Sequence, residues 1–232
     1  MELENYLERT IGEKLTSGQE KRPPSGKLSA SKLWWPIQWQ ILATQFDLES
    51  HFDDYTLRKF QRGHDCEAWF IGMIEPKETQ VFLEYRNAIG YCDAIIDTKD
   101  WDNPVGVIPL EVKSATNMKY KWIVKRAEAD AGHIIQNAFY ALAYGATHHA
   151  ITYVASDDYR THTTIYKTKD SKATIDKIID AFEEAVKMKT IPVFEPREDW
   201  QGNIKYNNFP KFAGMNKTEL KVAYKELLTN KK

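Results

Sequence analysis

The chain has 232 residues, of which 42% are hydrophobic and 28% are charged, and its formal net charge at pH 7 is −1. This length and composition support one hydrophobic core and exclude an intrinsically disordered chain. No apolar stretch approaches the roughly 18 residues of a membrane-spanning helix. Two cysteines and the lack of a recognisable leader segment favour a reducing, cytoplasmic environment.

The spacing of apolar residues predicts helices where it repeats every three to four residues and strands where it alternates. We expect helices over about 1–14, 37–46, 54–74, 128–144, 175–188 and 217–228, and strands over about 80–86, 90–97, 106–113, 149–155 and 162–167. Helices alternating with strands, some of them antiparallel, indicate an α/β fold with a central mixed sheet flanked by helices. Residues 1–27 are expected to form an N-terminal helix and a linker, and residues 28–232 a single domain with terminal helical extensions.

The helix expected over 54–74 carries an acidic residue within its apolar stripe. The stripe consists of Leu57, Phe60, His64, Glu67, Ile71 and Ile74. An ionised carboxylate on a buried face costs several kcal/mol unless it is paired or bound to metal. Either a cation therefore lies beside Glu67, or this helix is less buried than its pattern indicates. His64 is a second candidate ligand, with a core histidine bonded to backbone as the alternative.

Two of the expected strands carry charged side chains on one face. Alternation separates Pro109, Glu111 and Lys113 from Ile108, Leu110 and Val112, and it separates Tyr91 and Asp93 from Cys92, Ala94 and Ile96. If the two strands are neighbours, Asp93 and Glu111 meet on one metal ion, with the Val112 carbonyl as a third ligand. Carboxylate and carbonyl oxygens are the ligands that Mg²⁺ prefers. Lys113 then lies beside the attacked phosphate, as orienter of the nucleophile and as positive charge.

The helix expected over 128–144 presents Gln136 and Tyr140 one turn apart, with His133 three residues before Gln136. These polar residues lie beside the apolar stripe, so they face something other than the main core. Ordinary interface residues are one interpretation of this pair. A position beside Lys113, where they bind a phosphate or orient the lysine, is the other.

Basic residues are concentrated between positions 113 and 126, where five occur without an acid and alternate with two aromatic residues. Such a stretch can hold a phosphate backbone while its aromatic rings stack on unpaired bases. A solvated charged surface is the alternative. The candidate DNA-binding residues are Lys119, Lys121, Trp122, Lys125 and Arg126.

Taken together, these motifs resemble the PD-(D/E)XK nuclease superfamily in its RecB-like branch, which includes CRISPR-associated and phage recombination exonucleases. The matching motifs, in family order over roughly 28–155, are Gly63 with Glu67, Gly90 to Asp93, Glu111 to Lys113, and Gln136 to Tyr140. The resemblance implies a restriction-endonuclease-like core, here about residues 54–167. It also implies a metal-dependent deoxyribonuclease, often an exonuclease, that acts in recombination, repair or mobile-element DNA processing.

Many members of that branch hold an iron–sulfur cluster with four cysteines, and this chain departs from them. Trp35 stands before Pro36 at the position expected for the first of these cysteines, and no cysteine follows Cys92. Two cysteines cannot supply four thiolate ligands. We therefore expect no iron–sulfur cluster, and Mg²⁺ or Mn²⁺ as the cofactor.

The expected partner is single- or double-stranded DNA, with no membrane association. The proposed metal ligands are His64, Glu67, Asp93, Glu111 and the Val112 carbonyl, and the proposed catalytic residues are Asp93, Glu111, Lys113, Gln136 and Tyr140. A structure-selective endonuclease of the same fold and a non-catalytic DNA-binding subunit are the alternatives. A homo-oligomer or a partner in a recombination complex is also compatible with the sequence.

Overall fold

The computed structural model describes residues 8–14, 25–46, 52–192, 210–212 and 215–230. The helices are α1 (8–14), α2 (Ile37–Gln45), α3 (Asp54–Met73), α4 (Asn117–Arg126), α5 (Ala131–Tyr144), α6 (Lys169–Lys187) and α7 (Lys217–Asn230). The strands are β1 (Leu28–Ser29), β2 (Glu78–Tyr85), β3 (Ala88–Asp97), β4 (Val107–Ala115), β5 (His148–Ala155) and β6 (Thr161–Lys167). Most of the expected linker (15–24) and part of the expected first helix (1–7) lie outside the described residues.

The six strands form one mixed sheet. Strand β3 pairs with β1 in parallel and with β2 and β4 in antiparallel fashion, β4 pairs with β5 in parallel, and β5 pairs with β6 in antiparallel fashion. Helices flank this sheet, so the predicted α/β class with a central mixed sheet is confirmed. Within the described residues, no helix combines the length and apolar character needed to span a bilayer.

The sheet carries a hydrophobic cluster on each face. The larger cluster joins β3 to α2, α5, α6 and α7 and includes the fully buried Trp39, Phe139 and Phe182. The second cluster lies between α3 and the middle of the sheet, where Ile108, Leu110 and Val112 of β4 pack against Cys66 of α3. These three β4 residues therefore share one face, as alternation predicted.

Helix α3 is less buried than its apolar stripe indicates. Cys66 is its one buried residue, whereas Phe60 is 46% exposed, His64 is exposed and Glu67 is half-buried. The helix packs mainly against β4 and β5, so one side of it stays in contact with solvent. The structure therefore favours the second explanation for the acid in the stripe, a helix that is less buried than its pattern indicates. Glu67 remains accessible to solvent.

Two elements were not anticipated. Helix α4 forms within the basic stretch, where its core-facing residues are only Tyr120 and Ile123, too few to produce a clear periodic signal. Strand β1 has just two residues and exists because Leu28 and Ser29 pair with Ala88 and Ile89 of β3. Both elements depend on contacts with segments that are distant in the sequence.

The side chains of β3 do not alternate strictly, which corrects the predicted grouping of Cys92 with Ala94 and Ile96. Cys92 packs in the larger cluster with Ile95, whereas Ala94 and Ile96 pack in the α3-side cluster. Gln80 of β2 lies opposite Asp93, between the pairs Thr79↔Ala94 and Val81↔Cys92. Its φ of 50° is left-handed, a conformation that interrupts the pleat of the β2–β3 hairpin. The phase of the side chains changes at this point.

The turn of the β2–β3 hairpin is anchored to α6. Arg86, at the turn, donates to Asp180 at 2.6 Å and to Glu183 at 2.8 Å. Both acids lie on α6. The hairpin is therefore held against the helical layer at the end remote from Asp93.

Gly90 allows β3 to lie directly against α5. A Cβ atom at this position would lie 2.7 Å from the Cβ of Ala30 and 2.8 Å from Cε1 of Tyr140. Both distances are shorter than carbon atoms tolerate, and Ala30 belongs to the short 3-10 turn after β1. The glycine of the Gly90-to-Asp93 motif is therefore required by close packing.

We expect Gly90→Ala to destabilise the fold by about 1–3 kcal/mol, the usual cost of overpacking. At roughly 2–4 °C for each kcal/mol in a chain of this size, thermal unfolding followed by circular dichroism detects the change. Gly72→Ala in α3 is the matched control, because no atom of the described residues, apart from its chain neighbours and the backbone of its own helical turns, lies within 4 Å of its added Cβ. That control should be neutral or slightly stabilising. Equal midpoints for the Gly90 variant and the parent would contradict this packing argument.

Candidate active site

The candidate site lies where β3 and β4 separate. The two strands pair from Asp97↔Val107 to Ala94↔Leu110 and no further. Residues 88–89 of β3 pair with both β1 and β2, so β1 and β4 share the edge of β3 opposite β2. Gly90 to Asp93 lie between them and, among the described residues, have no strand partner on that edge. The separation opens a gap in the sheet.

The Asp93 side chain accepts the hydrogen bond that β3 would otherwise accept through a backbone carbonyl if its ladder with β4 continued. Its Oδ2 atom accepts a hydrogen bond from the backbone N–H of Val112 at 2.7 Å. A buried backbone N–H needs an acceptor, and here a carboxylate replaces the carbonyl of a neighbouring strand. The strand end is therefore held open by the side chain that the sequence marks as a metal ligand.

Glu111 is the most buried acid of the site, with 1% of its surface exposed. Its Oε1 atom accepts hydrogen bonds from Gln136 Nε2 at 2.7 Å and from Lys113 Nζ. Its Oε2 atom has no hydrogen-bond partner among the described residues. Because an unpaired buried oxygen is costly, the carboxylate has an open coordination position.

Helix α5 supports this carboxylate from the other side of the sheet. Gln136 Nε2 contacts the Tyr140 hydroxyl at 3.3 Å as well as Glu111, and among the described residues neither side chain of the predicted pair is hydrogen-bonded to Lys113. Burial raises the pKa of Tyr140 well above its ordinary value, and the phenol stays protonated. His133, one turn before, contacts the Tyr153 hydroxyl at 2.7 Å through Nδ1.

Burial dominates the titration of the two central carboxyl groups. It raises the pKa of Glu111 to about 7, with Asp93 adding repulsion and Lys113 opposing the rise. Burial, followed by repulsion from Glu67, raises the pKa of Asp93 to about 6, against the attraction of Lys113 and the Val112 N–H. These carboxylates lie close together and are buried from water. One lysine does not fully balance their negative charge.

Lys113 supplies the positive charge within this group. Burial lowers its pKa, but the negative charges of Glu111, Asp93 and Glu67 outweigh burial, so its pKa lies above the ordinary value. The ammonium group therefore stays protonated at neutral pH. It is a fixed cation next to the gap between β3 and β4.

Glu67 approaches the site from α3. Burial raises its pKa, the positive charge of His64 opposes that rise, and repulsion from Glu111 adds to it. Gln80 Nε2 donates to Glu67 Oε1 at 2.7 Å. Gln80 is a site residue that sequence analysis missed, because a single glutamine in a strand carries no periodic or motif signal.

The donor set fits a divalent cation, although it is not a closed cage. Glu67, Asp93 and Glu111 influence each other's pKa, and Glu111 presents an unpartnered oxygen. Within the described part of the chain, no three His, Cys, Asp or Glu side chains are arranged as a preformed metal site. Oxygen donors with excess negative charge suit Mg²⁺ or Mn²⁺, and metal binding by these residues, by His64 and by the Val112 carbonyl stays a prediction.

The candidate DNA-binding residues lie on α4, which begins two residues after β4 ends. Trp122 is 48% exposed, and the Arg126 guanidinium lies 3.6 Å from its ring centroid. Lys119 pairs with Asp130 at 2.6 Å, whereas Lys121 and Lys125 are exposed. Four of the five basic residues of this stretch thus lie on one helix, and two of these four, Lys119 and Arg126, already have a partner.

No protein-family model matches the chain, and no curated protein matches its sequence. Among solved structures, the alkaline exonuclease LHK-Exo from Laribacter hongkongensis has a TM-score of 0.54 at 15% identity, over 76% of this chain and 93% of that one. LHK-Exo in complex with dAMP gives 0.53 at 16% identity, over 71% and 89%. A phage related exonuclease from Haemophilus somnus 129PT gives 0.47 at 13% identity, over 71% and 96%, a similarity too low to support an argument. The similarity to LHK-Exo shows a shared fold, a mixed sheet flanked by helices as in the restriction-endonuclease-like core.

Proposed function

We propose that the protein is a divalent-metal-dependent nuclease that hydrolyses phosphodiester bonds in DNA. The observation that carries this proposal is the buried Glu111, with one oxygen bound by Lys113 and Gln136 and the other unpartnered. Asp93 lies across the gap, bound to the backbone of the residue between Glu111 and Lys113. A structural ion pair alone leaves the orphan oxygen and the excess negative charge unexplained.

Glu67, Asp93, Glu111 and the Val112 carbonyl are the proposed ligands of Mg²⁺ or Mn²⁺, with His64 at the periphery. Such an ion, when bound, would supply a water of lowered pKa and would neutralise charge on the phosphate. Lys113 orients the attacking water and stabilises the charge that develops on the phosphate oxygens. Gln136 and Tyr140 hold the Glu111 carboxylate in place from α5.

Helix α4 is the proposed contact for the DNA backbone. Lys121 and Lys125 are its exposed cations, and Trp122 offers the ring face that Arg126 leaves uncovered. Because α4 follows β4 directly, DNA held there passes close to Lys113. An exonuclease is favoured over an endonuclease, since the solved relatives with the same fold are described as exonucleases. A role in recombination, repair or mobile-element DNA processing, as in RecB-like nucleases, completes the proposal.

Asp93→Asn, Glu111→Gln and Lys113→Met should each lower DNA hydrolysis about 10²-fold or more, the usual loss when a charged group at a reacting centre is removed. The assay uses end-labelled linear single- and double-stranded DNA with Mg²⁺ and, separately, Mn²⁺.

Glu226→Gln and Lys225→Met on α7 are the matched controls, because both side chains are exposed and remote from the gap in the sheet. Variants that degrade DNA as fast as the parent would overturn the assignment. Circular single-stranded DNA should persist while linear DNA is consumed, because an exonuclease needs an end. Cleavage of the circle would identify an endonuclease.

In the metal-free protein, Glu111→Gln should raise the midpoint of thermal unfolding at pH 8. The folded-state pKa of Glu111, about 7, exceeds that of an unperturbed glutamate. The stability that this difference contributes to the folded state is therefore complete below the pKa of the unfolded state and is lost as the pH rises through about 7. The parent should therefore lose stability between about pH 5 and 8, and the variant should lose less. Thermal unfolding in EDTA measures both.

Mn²⁺ should raise the midpoint of the parent at pH 8 and have a smaller effect on the Glu111 variant, since a ligand that binds the folded state stabilises it. The Glu226→Gln control should behave as the parent in all conditions. A Glu111 variant that is less stable than the parent at pH 8 in EDTA would show that this carboxylate is structural.

Replacing Lys121 and Lys125 by Ala should weaken binding of single-stranded DNA without sequence preference. Each lost phosphate contact should reduce the slope of log K against log [salt] by about 0.7. Fluorescence anisotropy in EDTA over a range of salt concentrations measures both effects, with Lys225→Ala on α7 as control. An unchanged slope would assign α4 to the solvated surface.

A further inference from the structure

An exposed aromatic pair lies on the β2–β3 hairpin. Phe82 is 50% exposed and Tyr91 is 58% exposed. They are direct cross-strand partners, and their ring centroids lie 5.3 Å apart at an interplanar angle of 58°. Neither side chain has a role in the site described above.

The pair lies on the face of the hairpin opposite the larger hydrophobic cluster. The neighbouring cross-strand pair, Leu83 and Gly90, points to that cluster and to Tyr140 of α5. Side chains of adjacent strand residues point to opposite faces. Phe82 and Tyr91 therefore point away from α5, and α3, which lies on their side of the sheet, packs mainly on β4 and β5.

The same hairpin carries Asp93, one of the three acids of the candidate site. Tyr91 is two residues before Asp93, and Phe82 is two residues after Gln80, whose amide binds Glu67. Two residues of strand span about 6.6–6.8 Å, a distance that two stacked nucleotides with a rise of about 3.4 Å cover and that fewer nucleotides cover in an extended single strand. The aromatic pair is therefore one to two nucleotides away from a phosphate held at Asp93.

The surroundings of the pair favour a base over a phosphate as its ligand. Among the described residues, no Lys or Arg lies over either ring, in contrast to Trp122 with Arg126. The nearest ion pair on the hairpin, Lys27 with Glu84 at 2.5 Å, is internally compensated. Open ring faces without a cation suit a planar, uncharged ligand.

We propose that Phe82 and Tyr91 form a stacking surface for an unpaired nucleobase of single-stranded DNA, one to two nucleotides from the phosphate that is cleaved. The inference rests on the proposed function, because it takes Asp93 as the position of the phosphate. Cross-strand aromatic pairs also stabilise hairpins, so the test must separate stacking on DNA from stability.

The test compares binding of single-stranded oligonucleotides that carry one abasic site at successive positions, by fluorescence anisotropy in EDTA. The parent should lose roughly 5- to 150-fold in affinity when the abasic site falls at one or two adjacent positions, which is the value of one base stack. The variant Phe82→Leu with Tyr91→Leu should bind intact DNA more weakly by a similar factor. It should show no further loss at those positions.

Tyr55→Leu is the matched control, because Tyr55 is an exposed aromatic residue about 18 Å along α3 from Glu67. It should bind both kinds of DNA as the parent does. Tyr91→Phe keeps the aromatic ring and should bind DNA as tightly as the parent. This variant tests the requirement for the ring even if the double leucine variant does not fold. Thermal unfolding verifies each variant.

Two results would overturn the inference. One is a parent without detectable affinity for single-stranded DNA, and the other is a double leucine variant with the same abasic profile as the parent. Nuclease activity is measured separately with Mg²⁺ and Mn²⁺. A protein that shows the expected abasic profile but cuts no DNA retains the stacking surface and loses the proposed catalytic function.

Discussion

The hydrogen bond from the Val112 N–H to the Asp93 carboxylate is the contact on which the candidate site depends. Strands β3 and β4 would pair further if a backbone carbonyl took this position, and the site would close. A carboxylate instead satisfies the N–H and keeps the strands apart by the length of a side chain. The same contact links Asp93 to the backbone between Glu111 and Lys113, so all three candidate site residues share one backbone frame.

Electrostatics then explains why this frame suits a cation. Three acids and one lysine share a partly dry gap, and burial raises the pKa of each acid. Without a further positive charge, the excess negative charge is relieved by protonation of the acids. Protonation becomes less favourable as the pH rises, so the folded protein loses stability. A divalent ion held by these groups, as proposed, would relieve the same excess without protonating them. This balance connects the stability of the metal-free protein to the proposed chemistry.

The packing behind the site connects its elements to one another. Gly90 permits Tyr140 to approach β3, and Tyr140 in turn lies within reach of Gln136, which holds Glu111. The motif residues on β3, β4 and α5 therefore form one contact chain. Gln80 adds a fourth element, because its left-handed backbone lies opposite Asp93 and its amide reaches Glu67. The hairpin that carries Gln80 also presents the exposed aromatic pair.

The sequence by itself determined the α/β class and the order of the main helices and strands, and it predicted the three acids and the lysine that the structure brings together in the gap. Period-two and period-3.6 patterns record which side chains face a core. The spacing of polar residues within these patterns can be read without knowledge of the tertiary contacts. Tertiary structure alone decided the phase change of β3 at Asp93, the two-residue strand β1, helix α4 and the partial exposure of α3. It also decided that Gln136 acts on Glu111 and that Gln80 enters the site. These features arise from contacts between segments far apart in the chain, and such contacts leave no periodic trace in either segment.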